Sequence, residues 1–156
     1  MVDLQARTLA ADLIEKFRDG AISNFDFQDS YPRFDKHDRA LRAVQTMLWR
    51  YYDDCREHTM TEEGHLLTPE GRELFDRCAL FLRTRLEYLW PEDNFVGIGG
   101  LGIVGRICTL GLSVFFDRAL ERRAMRELEV IEAIGSTAVW PFFTTEEYSQ
   151  HRGKSG

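Results

Sequence analysis

Apolar residues recur every three or four positions along most of the chain, which is the spacing of one face of an α-helix. This pattern predicts amphipathic helices over residues 3–19, 38–58 and 68–89. The third has the clearest start, because Thr68 is a capping residue and is followed by Pro69 at the first helical position. Two long helices joined by a short polar loop favour an antiparallel bundle.

Shorter elements are predicted between and after these helices. Asn24 is expected to cap a short helical turn, and Pro32 disfavours helix at the residue before it. A fourth helix is predicted over about 103–132, an extended segment over 137–143, and a last short helix after the capping box that starts at Thr144. The predicted fold is therefore mainly α, a bundle of three or four long helices with a glycine-rich connection. It forms one domain over residues 1–150, followed by a loose tail, 151–156.

The glycine-rich connection, residues 95–116, is compatible with three different functions. Gly97–Gly102 matches the GxGxxG phosphate-binding pattern, but a helix rather than a strand is predicted before it. A membrane span is disfavoured by the central Arg106 and by the glycines. We favour a third interpretation, in which small residues let the segment pack closely against helices of the same chain.

Charge is the strongest indication of a partner. The chain of 156 residues carries a formal net charge of −6, and residues 53–76 are its densest acidic stretch. Nucleic acid is disfavoured as a partner, because its binding requires phosphates to be neutralised by Lys and Arg. A basic protein is expected instead. The predicted partner-binding residues are Asp26, Asp29, Asp53, Asp54, Glu57, Glu62, Glu63, Glu70 and Glu73.

An alternative function rests on the carboxylates and the histidine between residues 53 and 58. On a helix, Asp54 would share a face with His58, and Asp53 with Glu57, so these four could hold a metal ion in a small metal-dependent enzyme. We favour instead the solvated end of a helix, with His58 near the negative end of the helix dipole and with no cofactor.

The three cysteines are widely spaced, and this is typical of a reducing, cytoplasmic location rather than of a disulfide framework. Cys55 and Cys78 fall on apolar stripes and are predicted to be buried structural thiols.

Three segments carry a resemblance to other proteins. They are residues 81–91, the Asn-Phe-Asp-Phe run at 24–27 and the Trp-Pro-Phe run at 140–142. In these segments the chain resembles a group of small helical bacterial proteins of unassigned function. In size, acidity and helical character it is also similar to immunity proteins, and this resemblance implies a protein that neutralises a cognate toxin.

The sequence thus predicts a non-enzymatic protein-binding domain with an acidic surface, and its concrete form is a protein of the immunity or antitoxin type. Two alternatives stay open: the metal-dependent enzyme, and membrane association through residues 95–116.

Overall fold

A computed structural model of the chain describes residues 2–32, 38–90 and 135–153. These residues contain no strand, so the predicted mainly helical class is confirmed for them. The α-helices are α1 (Leu4–Arg18), α2 (Asn24–Ser30), α3 (Arg39–Leu48), α4 (Pro69–Leu82) and α5 (Thr145–Arg152). Short 3-10 turns cover Trp49–Tyr51 and Thr137–Val139.

Side-chain caps fix the starts of the helices where the sequence predicts them. The Asp3 carboxylate accepts a hydrogen bond from the Ala6 amide at 3.0 Å and starts α1. Thr68 caps α4 in the same way, with Pro69 in the first turn. Thr144 forms the predicted capping box for α5. These three starts are therefore confirmed.

Helices α1 and α4 pack against each other and supply the centre of the core. Phe17 from α1 lies 5.9 Å, ring centre to ring centre, from Phe75 of α4, and both are buried. Burying such a side chain stabilises the fold by roughly 1.5–3 kcal/mol.

Arg7 is a buried cation that joins three parts of the chain. Its guanidinium donates to both carboxylate oxygens of Asp38, at 2.7 and 2.9 Å, and to the Leu86 carbonyl at 2.8 Å. Arg7 thereby connects α1 to the start of α3 and to the segment after α4, without an uncompensated buried charge.

The predicted third helix, 68–89, is wrong in its last turns, because α4 ends at Leu82. The Thr84 hydroxyl donates a hydrogen bond to the Phe81 carbonyl at 2.7 Å, and the Arg7 guanidinium donates to the carbonyls of Thr84 and Leu86. These side chains replace the main-chain hydrogen bonds that would continue the helix.

The C-terminal segment docks on the residues that follow α4. The Trp90 indole donates to the carbonyls of Pro141 and Phe142, each at 3.2 Å. The Trp140 indole donates to the Tyr88 hydroxyl at 3.1 Å. The predicted extended segment at 137–143 is wrong: it is a 3-10 turn followed by a turn with a cis bond before Pro141.

Several predictions concern other parts of the chain. The glycine-rich connection and the helix at 103–132 lie outside the described residues. Among those described, only α1 and α4 exceed ten residues, so the bundle of three or four long helices stays a prediction. Helix α5 continues through His151 and Arg152, which were assigned to the tail. Within the described ranges, every helix is too short or too polar to cross a membrane.

Candidate protein-binding surface

Helix α3 is much shorter than predicted. It ends at Leu48, and after the 3-10 turn through Tyr51 the chain leaves helical geometry. We call residues 52–58 the acidic loop. The prediction of one helix over 38–58 is therefore wrong for its last third.

Asn24 holds the acidic loop in its non-helical form. Its side-chain amide donates to the carbonyls of Asp53 and Arg56, at 2.9 and 3.1 Å, and accepts from the His58 amide at 2.8 Å. The Asn24 amide also donates to the His58 carbonyl at 3.0 Å. One fully buried side chain thus satisfies loop groups that a helix would pair internally.

The predicted cap of α2 is off by one residue. Ser23, not Asn24, is the N-cap, and it forms a capping box with Asp26. The Ser23 hydroxyl also donates to a Glu57 carboxylate oxygen at 2.7 Å. Asp26 of α2 and Glu57 of the acidic loop are therefore held beside the same serine.

Three aromatic rings form a group at α2 and at the 3-10 turn that precedes the acidic loop. Trp49 stacks on Tyr52 with ring centres 4.7 Å apart and an angle of 27° between the planes. Phe25 of α2 lies 6.0 Å from Tyr52. Trp49 is 45% exposed, although it is one of the largest apolar side chains of the protein. Sequence reasoning missed this group because it predicted one continuous helix over residues 38–58, whereas α3 ends at Leu48.

Carboxylates surround the aromatic group. Partial desolvation, and after it the negative charges of Asp54, Asp29 and Asp53, raise the pKa of the Tyr52 phenol. We call Asp26, Asp29, Asp53, Asp54 and Glu57 together the acidic surface.

The other predicted partner-binding residues are distributed differently. Glu62 lies in the turn after the acidic loop; hydrogen bonding from the Thr59 amide at 2.9 Å is the main factor that lowers its carboxyl pKa, while burial opposes it. Glu63 is exposed in that same turn. Glu70 and Glu73 lie on α4, and their side chains form no hydrogen bond or ion pair with α2 or the acidic loop in the described part of the chain.

The metal-site alternative has no geometric basis in the described residues. Because the acidic loop is not helical, Asp54 and His58 do not share a helical face, and neither do Asp53 and Glu57. Each ring nitrogen of buried His58 lies 3.2 Å from a main-chain carbonyl oxygen. In the described ranges, no three His, Cys, Asp or Glu side chains are grouped so that they could hold a metal ion.

The two described cysteines differ in environment. Cys78 is buried, as predicted, and burial raises the pKa of its thiol. Cys55 is exposed, so its predicted burial is wrong. The apolar stripe on which it was placed ends with α3, before Cys55 is reached.

The chain matches no protein-family model, no curated protein and no solved structure in the comparisons made. The resemblances described above therefore stay predictions.

Proposed function

We propose that this protein is a non-enzymatic binding domain whose acidic surface binds a basic protein partner. The concrete form of the proposal is an immunity or antitoxin role, in which the partner is a basic toxin. Glu63 and Glu70 add negative charge from the neighbouring turn and from α4. Glu62 and Glu73 add less, because they lie 4.0 and 3.9 Å from the guanidinium groups of Arg56 and Arg77.

One observation carries the proposal: no residue of the acidic surface forms an ion pair within the described part of the chain. Ser23 supplies neutral donors to Asp26 and Glu57, and the Cys55 amide supplies one to Asp53. A neutral donor orients a carboxylate but leaves its charge, so these side chains are held in place and still negative.

Acids elsewhere on the molecule differ in this respect. Asp12 and Glu15 both contact the Arg83 guanidinium, at 2.8 and 2.7 Å. Asp19 and Asp76 both contact Arg18. Internal arginines thus reduce the field of the α1–α4 face, whereas the acidic surface keeps the field that attracts a basic partner.

Isosteric neutralisation tests the proposal. Asp29→Asn with Asp54→Asn removes two charges from the acidic surface, and within the described ranges these side chains accept no hydrogen bond that would be lost. Glu87→Gln with Glu146→Gln, at exposed positions elsewhere, removes the same charge and is the matched control. Each variant is immobilised, incubated with lysate of the native host, and its co-purifying chains are identified.

The identified partner is then titrated against each variant over a salt series. We expect a basic protein, weaker binding at high salt, and a loss of about 0.2–1 kcal/mol per neutralised exposed charge for the first variant only. For the toxin form, co-expression of the wild-type chain restores growth of cells that express the partner. Equal affinity of the two variants, or affinity independent of salt, would refute the proposal.

A further inference from the structure

A group of aromatic rings lies beside the acidic surface, and attraction between charges does not explain its exposure. Of the three tryptophans in the chain, Trp90 and Trp140 are 1% and 3% exposed, whereas Trp49 is 45% exposed. Trp49 is not a scattered surface residue, because it stacks on half-buried Tyr52, which in turn contacts half-buried Phe25. An exposed tryptophan supported by neighbouring rings is typical of the anchor of a binding site.

The local backbone orients these rings before any partner arrives. The Tyr52 amide donates to the Trp49 carbonyl at 3.0 Å and closes the 3-10 turn, so Trp49 and Tyr52 stack across it. A small cleft adjoins the stack and is lined also by Gln28, Gln45 and Leu48. A ring already held in one position loses little conformational entropy when it binds.

The negative charge near the stack favours a cationic group as its ligand. Asp29, Asp53 and Asp54 place negative charge near Tyr52. The face of an aromatic ring is itself negative, so rings and carboxylates together attract a cation. Arginine fits better than lysine, because a planar guanidinium stacks on an indole and also donates hydrogen bonds in the plane to carboxylates.

We infer that the Trp49–Tyr52 stack is the docking point for an arginine side chain of the basic protein partner, with Asp53 and Asp54 accepting from its guanidinium. The inference rests on the proposed function, because the partner protein supplies the arginine.

Peptide titration tests this contact without a known partner. The probe is a capped peptide of alternating glycine and arginine, and its controls replace arginine by citrulline, which is planar but neutral, or by lysine. We follow the indole N–H signals of ¹⁵N-labelled protein, with Trp49 assigned from Trp49→Leu. The arginine peptide is expected to shift the Trp49 signal, to leave Trp90 and Trp140 unmoved, and to show upfield-shifted arginine side-chain protons.

The lysine peptide should bind more weakly, and the citrulline peptide should have no effect. An equal response to arginine and citrulline would overturn the inference, because charge would then be irrelevant. A Trp49 signal that moves with protein concentration alone would also overturn it, since a second copy of the chain would then occupy the stack.

Once the partner is identified, the inference and the proposed function can fail separately. Trp49→Leu is expected to weaken binding about tenfold or more, which is 1.4 kcal/mol per tenfold. Leu9→Ala is the control: Leu9 is an exposed apolar side chain on α1, away from the stack, and its replacement should leave the affinity unchanged. If Asp29→Asn with Asp54→Asn weakens binding and Trp49→Leu does not, the arginine contact is refuted and the proposed function stands. The opposite result refutes the acidic surface as the binding determinant.

Discussion

Arg7 and Asp38 form a buried, two-point ion pair, with side chains 1% and 2% exposed, that joins the first helix to the start of α3. Removal of one partner leaves the other charge buried and unpaired, which typically costs about 3–5 kcal/mol. We therefore expect Arg7→Leu to lower the free energy of unfolding by about that amount in urea titrations. Arg42→Ala, at an exposed arginine of α3, is the control and should change stability little. An equal loss of unfolding free energy in the two variants would contradict a stabilising role of the buried Arg7–Asp38 pair.

The same pair predicts acid sensitivity. Burial alone would raise the pKa of Asp38, but hydrogen bonds from Arg7 and from the amides of Asp3 and Ala40 outweigh it, so the pKa lies below its ordinary value. Because the folded pKa is lower than the unfolded value of about 3.9, this stabilisation is complete above that pH and is lost as the pH falls through the folded pKa. The unfolding free energy of Asp38→Asn should fall less steeply below about pH 4 than that of the wild type. If the unfolding free energies of the two proteins fell with the same slope below about pH 4, Asp38 would not be a source of the acid sensitivity.

Asn24 is expected to control the order of the acidic loop. Asn24→Ala removes three side-chain hydrogen bonds, one buried and two partly buried, and we expect a loss of about 2–4 kcal/mol in the free energy of unfolding. Hydrogen exchange should accelerate at the His58 amide, which Asn24 protects directly. Gln5→Ala, at an exposed position of α1, is the control. Unchanged exchange in the Asn24 variant would show that the loop is held by other contacts.

The thiols should react in a fixed order. In a Cys108→Ser background, a maleimide should label Cys55 rapidly in the native protein, because that thiol is exposed. Cys78 should be labelled only after unfolding, since it is buried and its pKa is raised by burial. Mass spectrometry of digested protein identifies the labelled positions. Rapid native labelling of Cys78 would contradict its place in the core.

Two glycines offer a matched comparison of backbone strain. Gly20 and Gly64 both have positive φ, 72° and 91°. A Cβ on Gly20 would lie 2.6 Å from the Thr61 methyl carbon, whereas a Cβ on Gly64 would meet no atom within 4 Å. Gly64→Ala should therefore cost about 1–2 kcal/mol from the backbone alone, and Gly20→Ala more. Thr61→Ala should recover part of the Gly20→Ala loss in a double-mutant cycle. No recovery would exclude the steric explanation.

Local signals predicted the starts of the helices better than their ends. The caps Thr68 and Thr144 act within one turn, so residue types at fixed spacing were sufficient. The early end of α3 depends on Asn24, and that of α4 on Arg7, both distant in sequence. No periodicity of α3 or α4 encodes such a contact, so both helices were predicted too long.

The sequence shows which acidic residues the candidate surface contains, but not how distant residues are brought together in it. Acidic residues are visible in the sequence, and the clustering of carboxylates near residue 53 needed no structure to notice. That Asp26 and Glu57 flank one serine depends on Ser23, which the sequence interpretation did not use. The Trp49–Tyr52 stack forms across the 3-10 turn, where α3 has already ended.

Phe143 contacts both described positions that flank residues 91–134. The Trp90 ring lies 5.4 Å from the Phe143 ring, and a Cβ on Gly135 would lie 2.9 Å from the Phe143 carbonyl oxygen. The two described positions that flank residues 91–134 therefore meet at one aromatic ring. A side chain larger than hydrogen at position 135 would crowd the ring on which Trp90 also packs.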